Sequence, residues 1–237
     1  FEFEPNGFNF YASDDADLSR RTVMLDGQPT FVPGPYRFRF RARSVNIGAS
    51  ANDYSPIYAL VDAASPADNS TNAVIDVDLF GTVADWEQWM RFFAVERTVG
   101  NWDSYGWDRG KNDYLYKGAT GGFRHMAWDI DYSMGLGRPA NAPLFESNDP
   151  RVRAMFNTPP ILRAYWRAFA ELVGGPFSNP YLDPFIDAHV TALTTNNIDI
   201  DIDAVAAMKT YIGDRQAFLQ SQLATVTTPF MVEGSLS

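Results

Sequence analysis

The clearest pattern along the chain lies in 82–99, where Trp86, Trp89, Met90, Phe93 and Ala94 recur on one face at the 3.6-residue period of an amphipathic helix. Thr82 stands where a cap is needed and Gly100 where a helix ends. Tryptophans at that spacing belong to a core. The stripe returns in 159–173 with Leu162, Tyr165, Trp166 and Phe169, and in 202–223 with Val205, Met208, Ile212, Phe218 and Leu219. Three start signals, Asn148-Asp149-Pro150, Thr158-Pro159-Pro160 and Leu182-Asp183-Pro184, divide everything after 145 into successive helices. Another helix is expected from Asn52-Asp53 and Ser55-Pro56 up to Ser65-Pro66.

Strand signals are fewer. Tyr36-Arg37-Phe38-Arg39-Phe40-Arg41 alternates aromatics with arginines at the two-residue period, which predicts a half-buried strand with one basic face. Residues 1–34 mix aromatics with Asn6-Gly7, Asp26-Gly27, Pro33 and Gly34, the signature of short strands and turns without a core of their own. Tyr114-Leu115-Tyr116, the turn Gly118 to Gly122, and Phe123 to Ala127 read as a hairpin. The expected fold class is α+β, mostly helical, in a single domain over 1–237. It has a strand-rich, irregular entry segment at 1–50, a central part at 51–144 and a helical region at 145–237.

Composition narrows the function. With 46% hydrophobic residues and a formal net charge of −10, the chain can bury a sizeable core but repels a phosphate backbone, so nucleic acid is not an expected partner. No apolar run approaches the roughly 20 residues of a membrane-spanning helix. There are no cysteines, hence no disulfides or thiolate metal sites. The chain begins Phe1-Glu2-Phe3 rather than with Met, which reads as a processed product or a piece of something longer.

The candidate chemistry sits around the hairpin. Gly100-Asn101-Trp102-Asp103 follows the helix, Asn112 comes shortly after, and the hairpin leads into Trp128-Asp129-Ile130-Asp131. Phosphoryl transfer asks little covalent work of a protein. It needs a metal–phosphate complex held in line with an acceptor whose proton is taken. In protein kinases a catalytic-loop Asp takes that proton, an Asn just after it binds metal, and an Asp beyond a hairpin bridges metal and phosphates. The order here is the same. Asp103 is the expected catalytic residue, and Asn112, Asp129 and Asp131 are the expected ligands of Mg²⁺ or another divalent cation. On a continuing strand Asp129 and Asp131 would share a face, Asp129 as inner ligand and Asp131 as helper. His125 and His189 have no partners at metal spacing and read as structural. Asp199 to Asp203 lacks the glycine and distal glutamate of a calcium loop, and reads as capping for the helix that follows.

Together, Trp89-Met90-Arg91, Gly100-Asn101-Trp102-Asp103, Asn112-Asp113-Tyr114-Leu115-Tyr116 and Trp128-Asp129-Ile130-Asp131 resemble the CotH kinase family, atypical kinases first known from bacterial spore coats. The resemblance is strongest over 75–135. It implies the C-terminal lobe of a protein-kinase-like fold with the metal site on a β-hairpin. It also implies an ATP- and Mg²⁺-dependent transfer of phosphate to Ser on a partner protein, and a bacterial extracytoplasmic or cell-surface setting. Kinase-like enzymes also use a glycine-rich phosphate cover and a lysine from an N-terminal lobe. The lysines here are Lys111, Lys117 and Lys209, and no G-x-G-x-x-G occurs. The nucleotide-gripping lobe is therefore expected to be absent, and the chain alone is expected to turn over little ATP. The rival reading is a non-catalytic acidic module of a larger exported protein that binds a divalent metal. Glycoside hydrolysis has no separate carboxylate pair to support it.

Overall fold

The computed structural model describes residues 8–12, 16–44, 50, 52–66, 70–107 and 110–227. Its centre is a four-stranded antiparallel sheet in the order β4-β1-β5-β6. The strands are β1 (Phe8–Ala12), β4 (Phe40–Ser44), β5 (Asp113–Lys117) and β6 (Arg124–Ala127). The β5–β6 hairpin forms as its alternation predicts, pairing Asp113 with Ala127 and Leu115 with His125. β1 lies between β4 and β5, with Tyr11 opposite both Arg41 and Tyr114. Phe10 and Ala12 point into the core with no exposure, while Tyr11 faces outward. The entry segment is thus an inner strand of the main sheet rather than an irregular lead-in. Beside it, β2 (Thr22–Leu25) and β3 (Gln28–Phe31) make a separate hairpin. It turns on Asp26 and Gly27, both at positive φ, as a tight two-residue turn requires.

The stretch predicted as a strand from Tyr36 is instead the helix α1 (Pro33–Arg39), and only Phe40 onward is extended. Prolines at 33 and 35 suit a first helical turn, and Tyr36 and Phe40, both fully buried, are four residues apart as readily as they are two strand steps apart. α2 (Ser55–Ala63) appears where expected. The helix predicted from Thr82 starts four residues later, at Trp86, and a short helix precedes it. α3 (Val77–Gly81) is capped by the Asp76 side chain, and α4 (Trp86–Val99) by Asp85, which accepts from the Gln88 N–H at 3.2 Å. Thr82 instead closes α3. Between the two helices the chain bridges to the sheet, since Phe123 N–H donates to the Val83 carbonyl at 2.7 Å. A side chain on Gly122 would meet the Ala84 backbone at 2.5–2.6 Å, so this crossing requires glycine.

Four helices follow: α5 (Pro150–Asn157), α6 (Pro159–Val173), α7 (Asn179–Thr195) and α8 (Ile202–Leu223). α7 starts one turn before the predicted Leu182-Asp183-Pro184 signal and runs through Pro184. No residue of α7 is buried, so water can satisfy the carbonyl that Pro184 leaves without a donor. α8 begins as predicted, with Asp201 accepting from the Ala204 N–H. The core joins the inner face of the sheet to α4, α5 and α6 through Phe10, Leu115, Phe123, Trp89, Phe93, Met155 and Tyr165. No helix among the described residues is long and apolar enough to cross a membrane.

Candidate functional site

Gly100 ends α4 in the left-handed conformation at φ 73°, where a side chain would strike the Tyr211 hydroxyl at 2.4 Å. The loop that follows is fixed by α4. Asn101 Nδ2 donates to Glu96 Oε2 at 2.8 Å, the Ser104 hydroxyl to the Asn101 carbonyl at 3.0 Å, and Arg97 Nη2 to the Gly106 carbonyl at 2.6 Å. Glu96, Arg97, Asn101 and Ser104 are all buried. Burial raises the Glu96 carboxyl to about 7, against the lowering effect of its bond to Asn101.

Asp103 is held within this loop at 6% exposure. Its Oδ2 pairs with Lys111 Nζ at 2.8 Å and accepts from Asn112 Nδ2 at 3.1 Å. The other oxygen, Oδ1, is buried without a hydrogen-bond partner. Asn112 sits at φ 56°, a left-handed position that asparagine tolerates better than most residues, and its Oδ1 accepts from the Tyr11 hydroxyl at 3.3 Å. Asp103 and Asn112, nine positions apart, are therefore in direct contact. Lys111 is the member of this cluster that sequence reading passed over. Its position next to Asn112 was the available signal.

Asp129 follows directly on the closing bond of the hairpin, donated by the Trp128 N–H to the Asn112 carbonyl at 3.2 Å. The segment beyond it folds back onto the loop. Met134 N–H donates to the Val99 carbonyl at 2.6 Å, Arg138 N–H to the Gly100 carbonyl at 3.1 Å, and the Trp102 and Tyr132 rings lie 6.1 Å apart. The stretch carrying Asp129 and Asp131 is thus tied at both ends to the neighbourhood of Asp103. β6 stops at Ala127, however, and Asp129 is itself left-handed at φ 56°, so no strand continues to set Asp129 and Asp131 on a common face. Both are exposed, and neither carboxylate has a hydrogen-bond or ion-pair partner among the described residues. No group of three or more His, Cys, Asp or Glu that could hold a metal forms among the described residues.

Beneath the loop, the buried pair Asp113–His125 joins the two hairpin strands, with His125 stacked on Phe92 and edge-on to Trp89. Burial pushes the Asp113 carboxyl up, and His125 pulls it part of the way back. His125 is thus packed inside the hairpin by rings on α4, and its Nε2 is buried with no hydrogen-bond partner. The acid that pairs with its Nδ1 was legible only through the hairpin register, which places Asp113 diagonal to His125.

The sequence model of the family described as CotH kinase protein matches residues 68–221. No curated protein matches the chain. The matched span holds Asp103, Asn112, Asp129 and Asp131, all of α4 through α7 and most of α8, and a match over more than half of the chain places it in the CotH kinase protein family.

Proposed function

We propose that this chain carries the catalytic part of a metal-dependent phosphotransferase of the atypical protein-kinase type, which with its nucleotide-gripping lobe moves the terminal phosphoryl group of ATP to a hydroxyl of a partner protein. In this reading the β5–β6 hairpin and the helices around it correspond to the catalytic lobe of a protein-kinase-like fold. The observation that supports it most is the contact between Asp103 and Asn112 at the mouth of the hairpin that leads into Asp129. Lys111 holds one oxygen of Asp103, leaving buried Oδ1 to take the acceptor's proton as oxygen attacks the γ-phosphorus and the bond to ADP breaks.

The donor set fits Mg²⁺, which favours one or two carboxylates plus substrate phosphates over an all-protein cage. Asp129 and Asn112 would hold it, with Asp131 in support, and when bound it would neutralise charge on the phosphates. Exposed hard oxygen donors with no partner among the described residues, as Asp129 and Asp131 are, suit that role and leave geometry to the substrate.

Two measurements test the reading. Mg²⁺ should raise the melting temperature of the wild-type chain, less so Asp131→Asn, and not at all Asp129→Asn. Transfer from ATP to an added protein, slow in this chain alone, should fall at least about 100-fold further in Asp103→Asn, the scale of a lost general base. A metal response equal in all variants, with no Asp103-dependent transfer, overturns the reading in favour of a non-catalytic acidic module.

A further inference from the structure

Residues 20–43 stand apart from the rest of the chain in charge. They hold six arginines against Asp26, a net of +5, so the remainder of the chain carries −15. Arg20 and Arg21 are paired with Asp62 and Asp17. Arg37 and Arg41 are exposed and meet no carboxylate among the described residues. The same stretch carries exposed apolar side chains: Val23 at 41%, Met24 at 64%, Leu25 at 51% and Phe38 at 76%. Successive strand residues point to opposite faces, so Val23 and Leu25 lie on one side of the β2–β3 hairpin and Met24, opposite Pro29, on the other. Both faces of this ribbon are therefore apolar and open to solvent. Of the hairpin's residues only Phe31, at its base, packs on the core.

The hairpin and α1 are fastened together at Tyr36. The Arg21 N–H donates to the Tyr36 hydroxyl at 2.9 Å, that hydroxyl donates to the Ser19 carbonyl at 3.3 Å, and the Phe31 and Tyr36 rings lie 6.3 Å apart. The hairpin leaves the body of the protein at this junction, and Arg37 and Phe38 follow Tyr36 directly.

We propose that the β2–β3 hairpin and the Arg37–Arg41 stretch dock on an anionic lipid surface, with Val23, Met24, Leu25 and Phe38 entering the interface and Arg37 and Arg41 meeting lipid phosphates. Two features select a membrane over an acidic protein. A protein partner covers one face of a ribbon, whereas a lipid interface surrounds a projecting element and so accommodates apolar side chains on both faces. The negative potential of such a leaflet also acts on the whole molecule, drawing in the basic stretch and turning the −15 remainder away. Depth follows from the backbone. A two-stranded ribbon has two open edges, whose N–H and C=O groups cannot enter hydrocarbon unpaired, and Asp26 and Gln28 at its turn are polar. The hairpin therefore lies among the headgroups and does not span.

The test is co-sedimentation of the full chain with vesicles of phosphatidylcholine alone, or of phosphatidylcholine with roughly a third phosphatidylglycerol. The chain should bind the anionic vesicles alone and release them at high salt. Met24→Gln with Leu25→Gln, and separately Phe38→Gln, should weaken binding about tenfold. Arg37→Gln with Arg41→Gln should weaken it about tenfold or more, while Arg91→Gln with Arg163→Gln, an equal loss of charge at exposed positions on α4 and α6, should leave it unchanged. The substituted side chains of the hairpin and of 37–41 are exposed, and a circular dichroism melt at the wild-type temperature checks that each variant is folded. No binding to anionic vesicles, equal binding to neutral ones, or anionic binding unmoved by the Met24/Leu25 and Phe38 variants overturns the proposal. Binding to soluble polyglutamate as tight as to anionic vesicles also overturns it, in favour of an acidic protein partner.

Discussion

At the scale of single residues, the most consequential side chain outside the candidate site is Glu96. It lies buried under the loop that carries Asp103, bonded to Asn101 and within the field of Asp113. Its carboxyl titrates near 7 in the folded chain and near its ordinary value of 4.5 when exposed. Below about 4.5 it is protonated in both states and imposes no penalty. As pH rises through this window the unfolded chain releases the proton first, so stability falls, and the loss is complete above about 7. At 1.36 kcal/mol per pKa unit the swing is about 3 kcal/mol at most. Burial raises Asp113 and Asp149 as well, which acts in the same direction. Glu96→Gln keeps an acceptor for Asn101 and removes the titration. Denaturant melts between pH 4.5 and 8 should show a flatter profile for this variant and a gain in stability at pH 8. A variant whose stability falls with pH as steeply as the wild type would show that Glu96 is not the group responsible.

At the scale of elements, two buried arginines tie α4, the loop after it and the 140–146 segment together. Arg97, on α4, reaches the carbonyls of Gly106 and Glu146 and lies over the Trp107 ring, 4.8 Å from its centroid. Arg215, on α8, donates to the carbonyls of Ala140, Ala142 and Arg97 at 2.7–2.8 Å. Burial lowers the pKa of each guanidinium, and the ring of carbonyls is what keeps a charge acceptable there. Arg215→Met fills a similar volume but strands these carbonyls, at a cost of about 3 kcal/mol or more in a urea melt. A loss under about 1 kcal/mol would mean that water replaces the arginine freely. None of this clamp was legible beforehand, because its donors and acceptors come from segments far apart in the chain. What was legible was local. The apolar stripe of α4, the hairpin 113–127 and the cap at Asp201 follow from residues within a few positions of one another. The strand predicted at 36–41 failed for a local reason too: Tyr36 and Phe40 satisfy both periods, and the prolines before them decide for helix. At the site, the order of motifs set Asp103 and Asn112 in one group, and their side chains are in contact, but the end of the strand at Ala127 and the left-handed backbone at Asp129 had no signature in the sequence.

At the scale of the whole molecule, the family-matched span and the folding unit differ. The match begins at residue 68, yet β1 and β4 complete the sheet on the exposed side of β5. Phe10, Tyr36, Phe40, Tyr54, Ile57 and Leu60, all outside the match, are at most 4% exposed and belong to the same core as Trp89 and Tyr165. Burying a large apolar side chain contributes about 1.5–3 kcal/mol, so six of them approach or exceed the roughly 5–15 kcal/mol by which a domain is stable. Their removal would also strip β5 of its partner and leave an open edge of backbone donors and acceptors next to Tyr114. The chain cut to 68–227 should therefore be expressed without a cooperative thermal transition, or aggregate, while the full chain melts sharply. A sharp melt and native-like circular dichroism from 68–227 would show that the first sheet strands are an accessory layer.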